Sequence, residues 1–381
     1  MRTLNDFDFE NKKTLVRCDF NVGMNDKGGI TDDFRIVKSI PTIKHLLERK
    51  AIVILMSHLE KKDKCVSLKA VAERLENILG QKVKFISSCV GSSAAKETNK
   101  LKSGEVALLE NLRFEAGEKA NDDGFARELA KLGEVYVNEA FACSHRAHAS
   151  IVGIPKYLPS YAGLLMESEV LNLEKILKNP ERPFIVIIGG TKVETKIKTI
   201  LNISQIADHI LFGSKIGEII LIQKEIMLGR ELAVKEKLVE KIDLTNSKIH
   251  LPVDGMMALK DLSEGYSRKA GIGTIRKEEE VYDIGPETIK VFKEIIKGAK
   301  TIFFNGPMGM FENREFVNGT KEILDAIAKN RSAFKVAGGG ETVEAINKFH
   351  AAESFNFLST GGGAMLEFLS GDKLPGVEAL N

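Results

Sequence analysis

Short β-branched apolar runs alternate with longer amphipathic segments from one end of this 381-residue chain to the other. No other feature limits the fold as strongly, because this alternation reads as parallel strands joined by crossover helices. Predicted strands of a first series lie near residues 14–18, 51–56, 83–86, 106–109 and 135–137. A second series follows near 184–188, 209–212, 248–251, 301–304, 334–337 and 355–358. The chain is too long for one ordinary hydrophobic core, so the two series read as two α/β lobes. Between them, residues 163–178 (GLLMESEVLNLEKILK) carry Leu164, Val170, Leu171, Leu173, Ile176 and Leu177 at helical spacing. Pro180 and Pro183 end that run, which reads as an interdomain helix. The last residues, 368–381, are too few for another βα unit and must dock on existing structure or fray.

In open parallel sheets, ligands bind beyond the carboxyl ends of the strands, and the unusual residues of this chain fall there. The runs TLVRCDFN, VILMSHL, ALLENLRF and VYVNEAFACSHRAH place charged or hydrogen-bonding groups just past strands of the first series. IVIIGGTK, IFFNGPMG, KVAGGGET and FLSTGGGA do the same in the second. The first half holds Arg17, Arg35, His58, Arg113, His145, Arg146 and His148. A lone arginine is usually a solvated surface charge, but several at strand ends, with imidazoles nearby, suit a small acid phosphate. The second half holds glycine runs whose backbone N–H groups converge on phosphate oxygens without Cβ obstruction. Lys192 and Lys196 follow one such run at a helix start, where the dipole also favours anions. This half reads as a polyphosphate site. It has neither a GxxxxGK[ST] loop nor a strand-linked GxGxxG, which argues against P-loop NTPases and dinucleotide dehydrogenases.

Other chemistries fit less well. His145 and His148 share a helical spacing suited to a metal, but Arg146 between them opposes a cation and no third ligand is near in sequence. Cys143 or Ser144 as a nucleophile lacks a GxSxG elbow or a recognisable triad. With 55 basic and 53 acidic residues the net charge is +2, so the basic excess of a general nucleic-acid binder is missing. The longest apolar runs are strand-length, and the opening MRTLNDFDFENKK lacks the apolar core of a signal peptide, so the expected location is the cytoplasm. Cys18, Cys65, Cys89 and Cys143 are scattered without CxxC spacing, which fits reduced thiols better than a zinc site or a disulfide framework.

The segments VRCDFNV, DDFRIVKSIPTI, LLENLRFEAGE, AFACSHRAHAS, GGTKVETK, NGPMGMFE, GGGET and STGGGAMLE resemble, in order, the signature motifs of the phosphoglycerate kinase family. The resemblance implies two Rossmann-like lobes joined by a helix: an acid-phosphate lobe over 1–162, the helix over 163–180, a nucleotide lobe over 181–363, and a tail, 364–381, returning to the first lobe. It implies a monomeric, Mg²⁺-dependent phosphotransferase with a carboxyl acceptor, which makes ATP from ADP and 1,3-bisphosphoglycerate and needs no nucleic acid or membrane partner. Carried over residue by residue, it puts Asp19, Phe20, Asn21, Arg35, His58, Leu59, Lys61, Arg113 and Arg146 at the 3-phosphoglycerate site. Lys192, Lys196, Asn305, Glu312, Gly338, Gly339, Gly340, Glu341 and Thr342 fall on the nucleotide side, Glu341 also at the metal. Arg35, Lys192, Lys196, Gly361 and Gly362 would act on the moving phosphoryl group. In the ATP-consuming direction the nucleophile is a carboxylate, ionised near neutral pH, so no general base is expected. Substrates held on separate lobes must then be brought together by domain closure.

Some positions depart from the family pattern. Where it reads SHLGRP, this chain reads SHLEKK: Glu60 adds a negative charge beside the expected acid-phosphate site, and Lys61 keeps a charge without the guanidinium fork. Glu341 stands where the family has an aspartate. Two further readings stay open on the sequence, a kinase acting on a different acid and a silent binding protein on the same scaffold.

Overall fold

The computed structural model describes residues 1–62, 64–192, 194–223 and 246–381. They form two compact units, Met1–Leu171 with Lys373–Asn381, and Asn172–Asp372. No helix among the described residues is long and apolar enough to cross a membrane.

The first unit is built on six parallel strands: β1 (Lys13–Arg17), β2 (Ile52–Met56), β3 (Val83–Ile86), β4 (Val106–Leu109), β5 (Val135–Asn138) and β6 (Ser160–Ala162), in the order β6-β5-β1-β2-β4-β3. Strands such as β4, buried at every position, are continuous apolar runs because helices cover both faces of a parallel sheet. The helix Phe34–Glu48 turns Ile36, Ile40, Ile43 and Leu46 into the core, which leaves Arg35 in its first turn free to face the strand ends. The last residues of the chain belong here: Gly376 N–H donates to the Ser144 carbonyl at 2.8 Å and Arg2 N–H to the Leu380 carbonyl at 3.3 Å.

The second unit carries β7 (Phe184–Ile188), β8 (His209–Phe212) and β9 (Ile249–His250), then the antiparallel strands β10 (Asp254–Leu259), β11 (Ser267–Gly271) and β12 (Glu279–Ile284), then β13 (Thr301–Asn305), β14 (Phe334–Gly338) and β15 (Phe357–Ser359). Its six-stranded parallel sheet runs β9-β8-β7-β13-β14-β15, so the ends of β7, β13 and β14 lie side by side. The expected series of strands is present in both sheets. Features that differ from expectation include the edge strand β6, two short hairpins in the first unit, and the antiparallel sheet β11-β10-β12, which interrupts the alternation. β11 reads SRKAG, a polar edge with no apolar run to signal it.

The helix over 164–178 starts where its backbone finds partners. Thr42 Oγ1 accepts from Leu164 N–H at 2.8 Å, and the Glu139 carboxylate accepts from Leu165 N–H and Met166 N–H. Gly163 is required just before it, since a Cβ there would sit 2.0 Å from Glu139 Oε2. Burial pushes the Glu139 carboxyl up to about 8, against the opposing bonds from Thr42 and the helix N–H groups. The boundary between the two units falls inside this helix, after Leu171. The expected tail, 364–381, divides as well. The helix Gly363–Leu369 packs within the second unit, with Thr199 Oγ1 donating to the Leu366 carbonyl and Asn202 Nδ2 to that of Leu369, both at 2.8 Å, and only 373–381 count with the first.

Candidate active site

In the first unit, the ends of β1 and β2 and the start of helix Phe34–Glu48 assemble a cationic cluster. Arg35 Nη1 donates to Asp19 Oδ2 at 2.8 Å and to the Asn21 carbonyl at 3.2 Å, while Asp19 Oδ1 accepts from Asn21 N–H at 3.1 Å. Burial alone would raise the Asp19 carboxyl, but Arg35 and the Asn21 N–H hold it below its ordinary value. The neighbouring Asn21 side chain anchors the next loop, its Oδ1 accepting from Glu60 N–H at 2.9 Å.

His58 is almost completely buried, and its proton placement follows from its neighbour. Arg17 Nη2 lies 3.3 Å from His58 Nδ1 and, being only a donor, makes that nitrogen the acceptor. The ring is therefore neutral with its hydrogen on Nε2, and the 3.9 Å approach of Nδ1 to Asp19 Oδ1 is no ion pair. Burial, and after it the charges of Arg17, Arg113 and Arg146, bring His58 down to about 3, with Asp19 opposing. His148 falls to about 4 through burial and through Arg113, Arg17, Arg146 and Lys119. Burial leads both shifts, and the surrounding guanidinium charges add to it.

Arg17 corrects the grouping of cations made from sequence. It is fully buried and committed to protein partners: Nε donates to Ser150 Oγ at 2.8 Å, Nη1 to the Cys18 carbonyl, and Glu118 stands 4.0 Å from Nη2. It positions His58 and is closed off from a ligand. Phe20 and Leu59 are likewise fully buried in the core and present no exposed surface to a ligand, the Phe20 N–H donating to Ser57 Oγ at 2.8 Å. Lys61 turns to the loop that follows Met24, donating to the Asn25 carbonyl at 2.6 Å and pairing with Asp26 at 3.0 Å. Arg146 is exposed, its Nε 3.1 Å from His145 Nε2. Arg113 is buried by its side chain, and its Nε has no protein partner. Asp19, His58 and Cys143 lie close enough to hold a metal, but Arg17 and Arg35 bonded to the same groups favour an anion.

In the second unit the glycine runs meet at the ends of β7, β13 and β14. Gly189 and Gly306 come so close that a Cβ on Gly189 would lie 1.9 Å from the Pro307 carbonyl oxygen, and one on Gly306, at φ 102°, 2.1 Å from that of Gly189. Lys196, 8% exposed, reaches into this crossing and donates to the Gly189 carbonyl at 2.6 Å and the Asn305 carbonyl at 3.3 Å. Burial brings its ammonium down to about 8, with Glu341 opposing and Lys192 assisting. A Cβ on Gly190 would meet both Glu341 Oε2 and Lys196 Nζ, at 3.0 and 3.1 Å, so a carboxylate and an ammonium converge beside this glycine. Asn305 Nδ2 donates to the Gly338 carbonyl at 2.6 Å and Thr342 Oγ1 accepts from Gly306 N–H at 2.8 Å, which ties β13 to the Gly338, Gly339 and Gly340 turn before helix Gly340–Lys348. Lys192 and Glu312 are exposed. Gly361 N–H is taken by Ser359 Oγ at 3.0 Å, whereas Gly362, at φ 51°, begins the next helix.

Fold and site thus define an α/β protein with a small-anion pole in one unit and a glycine-lined lysine site in the other. A sequence model of the family described as phosphoglycerate kinase matches residues 4–372, and the chain belongs to that family. It is 42% identical to the phosphoglycerate kinase of Dictyoglomus turgidum over 386 residues, covering 99% of this chain and 97% of that protein. To that of Thermosipho africanus it is 43% identical over 397 residues, with the same coverage of 99% and 97%. The solved phosphoglycerate kinase of Pyrococcus horikoshii superposes with a TM-score of 0.87 at 33% identity, covering 100% of this chain and 98% of that one.

Proposed function

We propose that the chain transfers a phosphoryl group reversibly between 1,3-bisphosphoglycerate and ADP, yielding 3-phosphoglycerate and ATP, as a step of glycolysis and gluconeogenesis. The observation that carries this reading is His58: with Nδ1 occupied by Arg17, it offers a ligand a donor and no acceptor nitrogen. A site with Arg35, Arg113 and Arg146 around such a donor binds an anionic acid and abstracts no proton, which suits a nucleophile that is already a carboxylate. Arg35, whose Nη1 is fixed by Asp19 and Asn21, keeps Nη2 for the reacting groups. Lys196 and Lys192 neutralise charge on the transferring phosphates, and the Gly338, Gly339 and Gly340 turn and Gly362 supply backbone N–H groups.

Glu341 fits Mg²⁺ as a single carboxylate beside Lys196 and Gly190, and no group of three or more ligating side chains includes it among the described residues. That suits an ion held mainly by nucleotide phosphates. Held there by Glu341, Mg²⁺ would supply positive charge that neutralises the nucleotide phosphates during transfer. With acid and nucleotide carried on separate units, transfer requires the units to close and to exclude water. The four free cysteines suit a reducing, cytoplasmic setting.

The test is ADP formation from ATP in the presence of 3-phosphoglycerate and Mg²⁺. Turnover is expected to need all three; ATP consumption indifferent to 3-phosphoglycerate overturns the reading.

Lys196 adds a proton-linked prediction. Its pKa in the fold is about 8, below the ordinary 10.5, so between those values the fold holds fewer protons than the unfolded chain and stability rises with pH. Nucleotide phosphates beside it raise that pKa. Calorimetry near pH ~8.5, in buffers of different ionisation enthalpy, should then show uptake of a fraction of a proton when Mg-nucleotide binds. The uptake should vanish in Lys196→Met; equal uptake in both proteins separates Lys196 from the nucleotide.

A further inference from the structure

Two charges at the acid pole are unassigned by the reading above, Glu60 and Lys119. Glu60 opens a two-residue hairpin, Glu60–Lys61 paired with Lys64–Cys65, and its N–H is pinned by Asn21, the residue whose carbonyl also receives Arg35. From there its Oε1 lies 3.2 Å from Lys119 Nζ and 3.9 Å from Arg113 Nη1. One carboxylate thus bridges a guanidinium whose side chain is 3% exposed and an ammonium that is 60% exposed. The surrounding field is short of negative charge, since Arg113 Nε and His148 Nδ1 are buried without protein partners. A carboxylate in that position does for Arg113 and Lys119 what a ligand's anionic group would do. Lys61, next along the chain, cannot supply the same cation because Asn25 and Asp26 hold it.

We propose that Glu60 is a built-in counter-ion which the incoming acid phosphate displaces, and that Lys119 is a further anion-binding residue of this pole. The inference rests on the acid-phosphate reading of the cluster. Its consequence is selectivity by charge. A dianionic phosphate competes with the Glu60 carboxylate for the Arg113–Lys119 pair, whereas a singly charged acid meets an equal rival and gains little by displacing it. Lys119 is long, exposed and, among the described residues, paired with Glu60 alone, so it can follow the ligand when Glu60 lets go.

Calorimetric binding of 3-phosphoglycerate, and of inorganic sulfate as a bare dianion, to the full chain and to its Glu60→Gln, Lys119→Met and Lys119→Arg variants tests this. Glu60→Gln should tighten both ligands about three- to tenfold. Lys119→Met should weaken them by a similar factor, Lys119→Arg should restore binding, and Lys119→Met should cost more in the Glu60→Gln background, where no carboxylate shares the ammonium. Nucleotide affinity serves as the check that each variant is folded. Unchanged or weaker binding in Glu60→Gln overturns the counter-ion, and unchanged binding in Lys119→Met removes Lys119 from the site. If 3-phosphoglycerate fails to bind even the unsubstituted chain, the acid assignment fails, while a sulfate response to Glu60→Gln would still uphold the exchange.

Discussion

Arg35→Ala is expected to lower turnover by about two to four orders of magnitude while Mg-nucleotide affinity stays within about twofold. The guanidinium is the mobile-charge end of a fixed arrangement: Asp19 and Asn21 hold Nη1, and the side chain remains 35% exposed, so the rest of the fork is available to the transferring group. Ground-state binding of the acid can persist through Arg113, Arg146 and His58. What is lost is stabilisation of charge that develops only during transfer, which appears in kcat. The substitution also leaves the buried Asp19 carboxylate without its principal partner, at a cost on the order of 1–2 kcal/mol given how exposed Arg35 is. Arg35→Lys separates the two effects, since it keeps a charge for Asp19 but loses the fork. Rapid-quench measurement of the transfer step and nucleotide titration check the split; turnover equal to the unsubstituted protein removes Arg35 from the chemistry.

The second large effect is expected from Lys196→Met, with nucleotide affinity or the transfer rate falling about a hundredfold and acid affinity kept. Lys196 donates to both crossing segments, through the Gly189 and Asn305 carbonyls, and its Nζ lies beside Gly190 with Glu341. Methionine preserves most of the buried volume and removes the charge. Two opposing changes in stability follow. Relief of a buried ammonium whose pKa has dropped to about 8 favours the variant, and two carbonyls left without their donor disfavour it. The loss of activity should therefore exceed any change in melting temperature. Nucleotide affinity and single-turnover rate both equal to the unsubstituted protein would place the nucleotide elsewhere.

Both sheets were readable in the sequence because each strand such as FIVII or TIFFN is buried on both faces and must be apolar throughout. The antiparallel insertion was not, because SRKAG is polar and partly exposed and DGMMAL has only a short apolar stretch with half-buried positions in it. At the site, the residue types at strand ends pointed to anions, and Asp19, Asn21, Arg35 and His58 do converge. Arg17 looked the same as Arg35 in sequence and differs only by depth, which depends on what β5 and the segment around Ser150 place over it. Lys61 pairs with Asp26 of a neighbouring turn and Lys119 with Glu60, because each long side chain goes to whichever partner the backbone brings within reach.

By itself the sequence determined the α/β class and the two parallel sheets through hydrophobic period, and residue chemistry at the strand ends set the expectation of two kinds of anion site. Tertiary structure alone decided which cations are free to bind. Burial fixes Arg17 and makes His58 a neutral donor, and proximity couples Glu60 to Lys119 and Arg113. Charge is written in a residue's name, but its availability is set by desolvation and by the nearest opposite charge, and both belong to the fold.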